Sequence, residues 1–93
     1  MALGLLNEYS YSYAHVTTAA TTVLKATGSQ GILHSIVVNL PGTTPVLTIN
    51  DGANVVGVLT PTAAGTVFYD ITFTNGCNIV STGTGGDFTV TFQ

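Results

Sequence analysis

The sequence predicts an all-β fold: a single-domain, jelly-roll-like β-sandwich of about eight antiparallel strands. Three observations point there. Apolar and polar residues alternate with a period of two through most of the chain. Turn signals recur at spacings of roughly 8–12 residues, the rhythm of a sandwich or a barrel. Threonine fills 17 of the 93 positions and glycine 11, whereas Glu, Lys and Arg, which favour helices, are nearly absent. The lack of Trp weighs against an immunoglobulin-like sandwich, which usually buries one.

The elements follow in order. An apolar arm over residues 1–8 precedes a sandwich over residues 9–93. Tyr9, Tyr11, Tyr13 and His15 share one face of the first strand, and Val16-Thr17-Thr18 extends it. Thr21 to Lys25 forms a second, and Gly28-Ser29-Gln30-Gly31 is a turn by composition. Ile32 to Leu40 is the longest strand. Strict alternation puts Ile32, His34, Ile36 and Val38 on one face and Leu33, Ser35, Val37 and Asn39 on the other. Apolar residues on both faces mark it as central. Pro41-Gly42 ends it. Val46 to Ile49 sends Leu47 and Ile49 inward, Asn50-Asp51-Gly52 reverses the chain, and Val55 to Leu59 returns. Thr66 to Thr74 turns Val67, Tyr69, Ile71 and Phe73 inward and Phe68, Asp70 and Thr72 outward. Asn75-Gly76 is a turn, Cys77 to Ser81 a short strand, and Thr82 to Gly86 a second turn. Asp87 to Phe92 closes the chain with Phe88, Val90 and Phe92 on one face.

Charge narrows the function classes. Charged residues make up 5% of the chain, against about 25% in an average soluble domain. Lys25 is the one cation, and Glu8, Asp51, Asp70 and Asp87 bring the net charge to −3. Neutralising phosphates takes several Lys or Arg, so nucleic acid is not an expected partner. Neither a basic surface for anionic lipid nor an apolar run of about 20 residues exists, so no membrane is expected. A single Cys77 forms no intrachain disulfide and builds no zinc site alone. One Lys cannot guard the edges of a sandwich, and a Thr-rich surface carries little repulsion between copies. A homo-oligomer is therefore expected, with a trimer favoured over a dimer.

No motif points to catalysis, and neither enzyme activity nor a cofactor is expected. His15 and His34 lack metal-ligand spacing, and His34 between Ile32 and Ile36 reads as a core or interface histidine. Asp51, Asp70 and Asp87 are not paired along the chain and suit turn and capping roles. Asn50 to Asn54 lacks the spaced acids of a calcium loop, and Gly83-x-Gly85-Gly86 lacks the Lys of a phosphate loop. The distinctive features are apolar and aromatic. Leu3, Leu5 and Leu6 of the arm, with the Tyr9, Tyr11 and Tyr13 ladder, form the candidate interface. Packing of the strand on its own core and a platform for sugars are the competing readings of the tyrosines.

The run Tyr13 to Asn39, with Gly31, Leu33, Ile36, Val38 and Asn39 in its long strand, resembles the opening of small bacteriophage virion proteins of the decoration or cement type. The resemblance continues through Leu47 to Gly52, Tyr69 to Gly76 and Gly86 to Phe92. It implies a jelly-roll subunit, commonly oligomeric, bound to the outside of an icosahedral head and bridging major capsid proteins. It brings no catalytic residues. Synthesis in a host cytoplasm and residence on the virion exterior are the corresponding expectations. The alternative is a carbohydrate- or receptor-binding module of a phage tail or fibre.

Overall fold

The computed structural model describes residues 11–93. Leu3, Leu5, Leu6 and Tyr9, and with them the expected arm, lie outside the described residues. Eight strands follow one another: β1 (Ser12–Thr17), β2 (Ala20–Lys25), β3 (Gly31–Leu40), β4 (Thr43–Asp51), β5 (Asn54–Leu59), β6 (Gly65–Phe73), β7 (Cys77–Thr84) and β8 (Asp87–Phe92). They build two four-stranded sheets. Sheet I has the order β1-β8-β3-β6 and sheet II the order β2-β7-β4-β5.

The pairing has a simple logic. β1 pairs β8, β2 pairs β7, β3 pairs β6 and β4 pairs β5, all antiparallel. This is one long hairpin whose tip is the β4–β5 turn. Folding that ribbon over itself adds the β3–β8 and β4–β7 pairs. The result is the eight-stranded jelly roll that the strand count suggests.

The core is the space between the sheets. Sheet I sends in Val16, Leu33, Ile36, Val38, Phe73, Phe88 and Val90, and sheet II supplies Leu47, Ile49, Cys77 and Ile79. Period-two alternation produces this directly in β8, where Phe88, Val90 and Phe92 are buried and the residues between them are not. The inner face also holds one polar fastener. Ser81 is 2% exposed, and its hydroxyl accepts from the Ala20 amide at 3.1 Å and lies 2.7 Å from the Thr17 carbonyl, to which it donates. It thereby holds the two-residue corner where the chain leaves sheet I for sheet II.

Three expectations are corrected. In β3 the register against both neighbours slips between Leu33 and Ser35. Against β8 the extra residue is His34, and against β6 the extra residue lies on β6. Leu33, Ile36 and Val38 therefore face the core together, and His34 is not in phase with Ile36. The second correction concerns residues 82–86. β7 runs on to Thr84, so the turn is only Gly85-Gly86. Gly83 is in the strand because β4 comes too near for a side chain. With φ at +104°, a Cβ there would meet the Thr43 and Thr44 carbonyl oxygens at 2.7 and 2.8 Å. The first hairpin turn also sits one residue later than Asn50-Asp51-Gly52 suggests. Gly52-Ala53 forms the two-residue loop, with Gly52 at φ +59°, as such loops require.

Cys77 is 2% exposed. Burial first, and the nearby Asp51 charge second, push its thiol up to about 11. Aromatic disulfide reagents are therefore expected to label native Cys77 only at the rate of unfolding. Fast labelling of the folded protein would show that this end of the core opens. Phe88, wholly buried, provides a second check. Phe88→Ala is expected to cost about 3–5 kcal/mol in urea unfolding.

Candidate functional site

Each sheet has one face on the core and one face outward, and the two outward faces differ in chemistry. The outward face of sheet I holds the aromatic and titratable groups. Tyr11 and Tyr13 both lie here, 42% and 76% exposed, so these two tyrosines do not pack into the core of their own sandwich. Tyr13 opens a row that crosses the whole sheet, because Tyr13 opposes Thr91, Thr91 opposes Ser35, and Ser35 opposes Phe68. The middle of the row is short and internally bonded, with the Ser35 and Thr91 hydroxyls 2.6 Å apart. Its ends are aromatic. Phe68, at the edge strand β6, is 66% exposed.

The bulge completes this cluster. Its partner strand β6 carries two unmatched residues, Tyr69 and Asp70, opposite the one in β3. Asp70 takes a left-handed conformation, φ +48°, which Asp tolerates better than most residues. The two irregularities place the His34 ring beside the Asp70 carboxylate, which accepts a hydrogen bond from Nδ1. Tyr11 stacks on the same imidazole at 4.2 Å with 10° between planes. Phe68 meets it at 5.5 Å and 62°, edge to face. Nδ1 is thus committed, and Nε2 has no hydrogen-bond partner among the described residues. The sequence reading had Tyr11 and Tyr13 but missed His34, Phe68 and Asp70 as their neighbours. Phe68 at an outward position of its strand was the available signal; the bulge had none.

A second His–Asp pair occupies the far end of the same face. His15 Nε2 is 2.9 Å from Asp87 Oδ1. Asn39 Nδ2 donates to the same oxygen at 2.9 Å and to Thr89 Oγ1 at 3.1 Å. The Asn39 hydrogen bond, followed by the one from His15 and its charge, holds the Asp87 carboxyl below the usual range. Asp51 has the turn role expected of it, accepting from the Thr74 and Asn75 amides. Among the described residues neither histidine is hydrogen-bonded to a Ser, Thr or Cys side chain, the contact that activates a nucleophile. No group of three His, Cys, Asp or Glu is gathered for a metal among them either.

The outward face of sheet II is different. One row reads Thr21, Val80, Thr48, Val58 and the next Val23, Asn78, Asn50, Val55. These rows are built of Val, Thr and Asn and carry no charge, and the β4–β5 register slips between Ile49 and Asn50. Val23, Val55 and Val58 are 65%, 60% and 58% exposed. An open cavity of about 510 Å³ lies at one end of this sheet, beside Pro45, Val46 and Pro61, and none of its lining residues is titratable or aromatic. The chemistry is on the faces, not in the hollow. No known family model matches the chain, and no curated protein matches it.

The lowered Asp87 carboxyl has a pH consequence. A group whose folded pKa is depressed stabilises the fold above its unfolded value, about 3.9, and loses that contribution as pH falls through the folded value. Thermal melts of the wild type and Asp87→Asn should therefore differ at neutral pH, with the wild type higher. The gap should close as pH drops below the ordinary aspartate range. A gap that is constant with pH would mean that the Asn39–Asp87 contact acts by shape alone.

Proposed function

We propose that the chain is a structural virion protein, a decoration or cement subunit that binds the outside of a bacteriophage head and bridges major capsid proteins. The observation that carries this reading is the outward face of sheet II. Three valines at 58–65% exposure and a ladder of threonines and asparagines offer a broad surface that can be buried without desolvating an ion. Burying neutral groups costs far less than burying charges, and each Val taken from water is worth about 1.5–3 kcal/mol. The jelly-roll order of the strands agrees with the fold that the resemblance to such proteins implies.

The mechanism is added contact area. Each copy clamps two or more shell subunits, and the extra buried surface opposes the pressure of packaged DNA. The edge strands supply a second set of contacts. β1, β6, β2 and β5 end their sheets, and Lys25, the chain's one cation, guards only β2. Contacts between copies along the unguarded edges produce the trimer.

Light scattering tests the self-association. A trimer of the 9.5 kDa chain is the expected mass, and a monodisperse monomer counts against the reading. Val58→Asp is expected to weaken co-sedimentation with undecorated heads while leaving the circular dichroism spectrum intact. With so few charges to screen, raising salt from about 50 to 500 mM should change occupancy by less than ~tenfold. A steeper loss would mean that charge, not apolar contact, holds the subunit in place.

A further inference from the structure

The Tyr11, His34, Phe68 and Asp70 cluster has no part in a shell contact made through sheet II. It lies on the opposite outward face, and it brings together two kinds of group rarely left in water at one spot. One is a flat apolar surface: Phe68 is 66% exposed, and among the described residues its only ring contact is the tilted one with His34. The other is a pair of hydrogen-bonding groups in fixed orientation. Asp70 ties His34 through Nδ1 and Oδ1, and Tyr11 stacks on a face of the imidazole. What remains is His34 Nε2 and Asp70 Oδ2, neither with a hydrogen-bond partner among the described residues. The Asp70 side chain is 59% exposed.

We infer that this cluster is a binding site for a neutral pyranose glycan, with Phe68 as the stacking platform and His34 and Asp70 as the partners of its hydroxyls. A pyranose presents a face of C–H groups that packs on an aromatic ring and, at its rim, hydroxyls that both donate and accept. An outward carboxylate oxygen accepts from such a hydroxyl, and a neutral imidazole Nε2 accepts from a second. A few polar groups beside an apolar surface are what fixes a ligand's orientation. Electrostatics select the class further. The outward face of sheet I holds Asp70 and Asp87 and no Lys or Arg, since Lys25 lies on β2 in sheet II. An anionic sugar at the cluster would meet the exposed Asp70 carboxylate with no Lys or Arg to offset it, which favours a neutral sugar over an anionic one. Tyr13, at the other end of the Tyr13–Phe68 row, stands about three strand spacings from Phe68, roughly 14 Å. That span suits a glycan of several units running across the strands rather than a single ring.

The cluster is built by a bulge that costs sheet regularity on both strands. A structural fastener would gain nothing from leaving Phe68 and Asp70 in water. The site is independent of the shell-binding face, so either reading stands if the other fails.

The test is a protein-observed NMR titration of the full chain. The probes are methyl β-galactoside, methyl β-glucoside, methyl β-N-acetylglucosaminide and cellohexaose, with N-acetylneuraminic acid as the anionic comparison. A neutral probe is expected to move the amide signals around His34, Phe68 and Asp70, and cellohexaose to move those around Tyr13 as well. Phe68→Ala removes a mostly exposed ring together with its edge contact on His34 and should weaken that binding at least ~tenfold. Asp70→Asn, which keeps a residue suited to the left-handed backbone, should weaken it by less. Val58→Ser, on the other sheet, should leave it unchanged. The inference is overturned if no neutral probe moves these signals, if the shifts survive Phe68→Ala in full, or if N-acetylneuraminic acid binds as tightly as the neutral sugars.

Discussion

The fold depends on the pairing of β8 with β3. The four nested pairs, from β1–β8 at the open end to β4–β5 at the tip, would by themselves give only a long two-stranded ribbon with no inside. Seating β8 against β3 bends the ribbon back on itself. It sets Phe88 beside Val38 and Val90 beside Ile36, four of the buried side chains that begin the core. It also forces β7 against β4, because the short links at Thr18-Ala19, Pro41-Gly42 and Gly85-Gly86 allow the chain to cross between sheets but not to wander. Ser81 secures one of these crossings with its hydroxyl, and Thr18 secures the facing one by accepting from the Gly86 amide at 2.9 Å. Both strands of the outer pair change sheets at the same corner. A domain this small buries only about 60–65% of its unfolded surface, so losing one such corner would remove a large part of what holds it closed.

The sequence was most legible where burial alone decides the pattern. In β4, β6 and β8 the inward residues follow the period of two, and Leu47, Ile49, Phe73, Phe88 and Val90 are buried as expected. Burial of one face and solvation of the other is a strong constraint, since a slip of one residue would invert every side chain. It fails where two strands accommodate a local mismatch. The irregular pairing of β3 with β8 and β6 shifts the phase at His34, and nothing in Leu33-His34-Ser35-Ile36 announces it, because a bulge is a property of the pair and not of either strand. Gly83 misled for the opposite reason. Glycine is common in turns, and only the nearness of the Thr43 and Thr44 carbonyls gives it a role inside β7.

The candidate site was half legible for the same physical reason. Tyr11 and Tyr13 belong to a single strand, and their shared face can be read from one segment. Phe68, Asp70 and His34 join them through the register of three further pairings. Their association is nonlocal, and composition carries no trace of it. The outward position of Phe68 beside Asp70 and Thr72 was visible, and a large apolar residue at a solvated position of an otherwise alternating strand is informative because the regular pattern would not put it there.

The two outward faces can do different work because they are chemically segregated while their strands alternate in sequence. β1, β8, β3 and β6 contribute both histidines and both Asp70 and Asp87 to sheet I; Lys25 and Asp51 lie at the strand ends of sheet II. The centre of the sheet II face is left with Val, Thr and Asn, which can meet another protein surface without stranding a charge. A polar group on the opposite face keeps its hydration and its directionality, which a buried one would lose to desolvation. A subunit that covers one face on assembly keeps the other free, and the chain has put its oriented hydrogen-bonding groups on the face that assembly through sheet II would leave in water. A bulge there costs little, since sheet I is anchored from beneath by Leu33, Ile36 and Phe88. Rigidity below and irregularity above are therefore one arrangement: the core fixes the positions from which His34 and Asp70 can project.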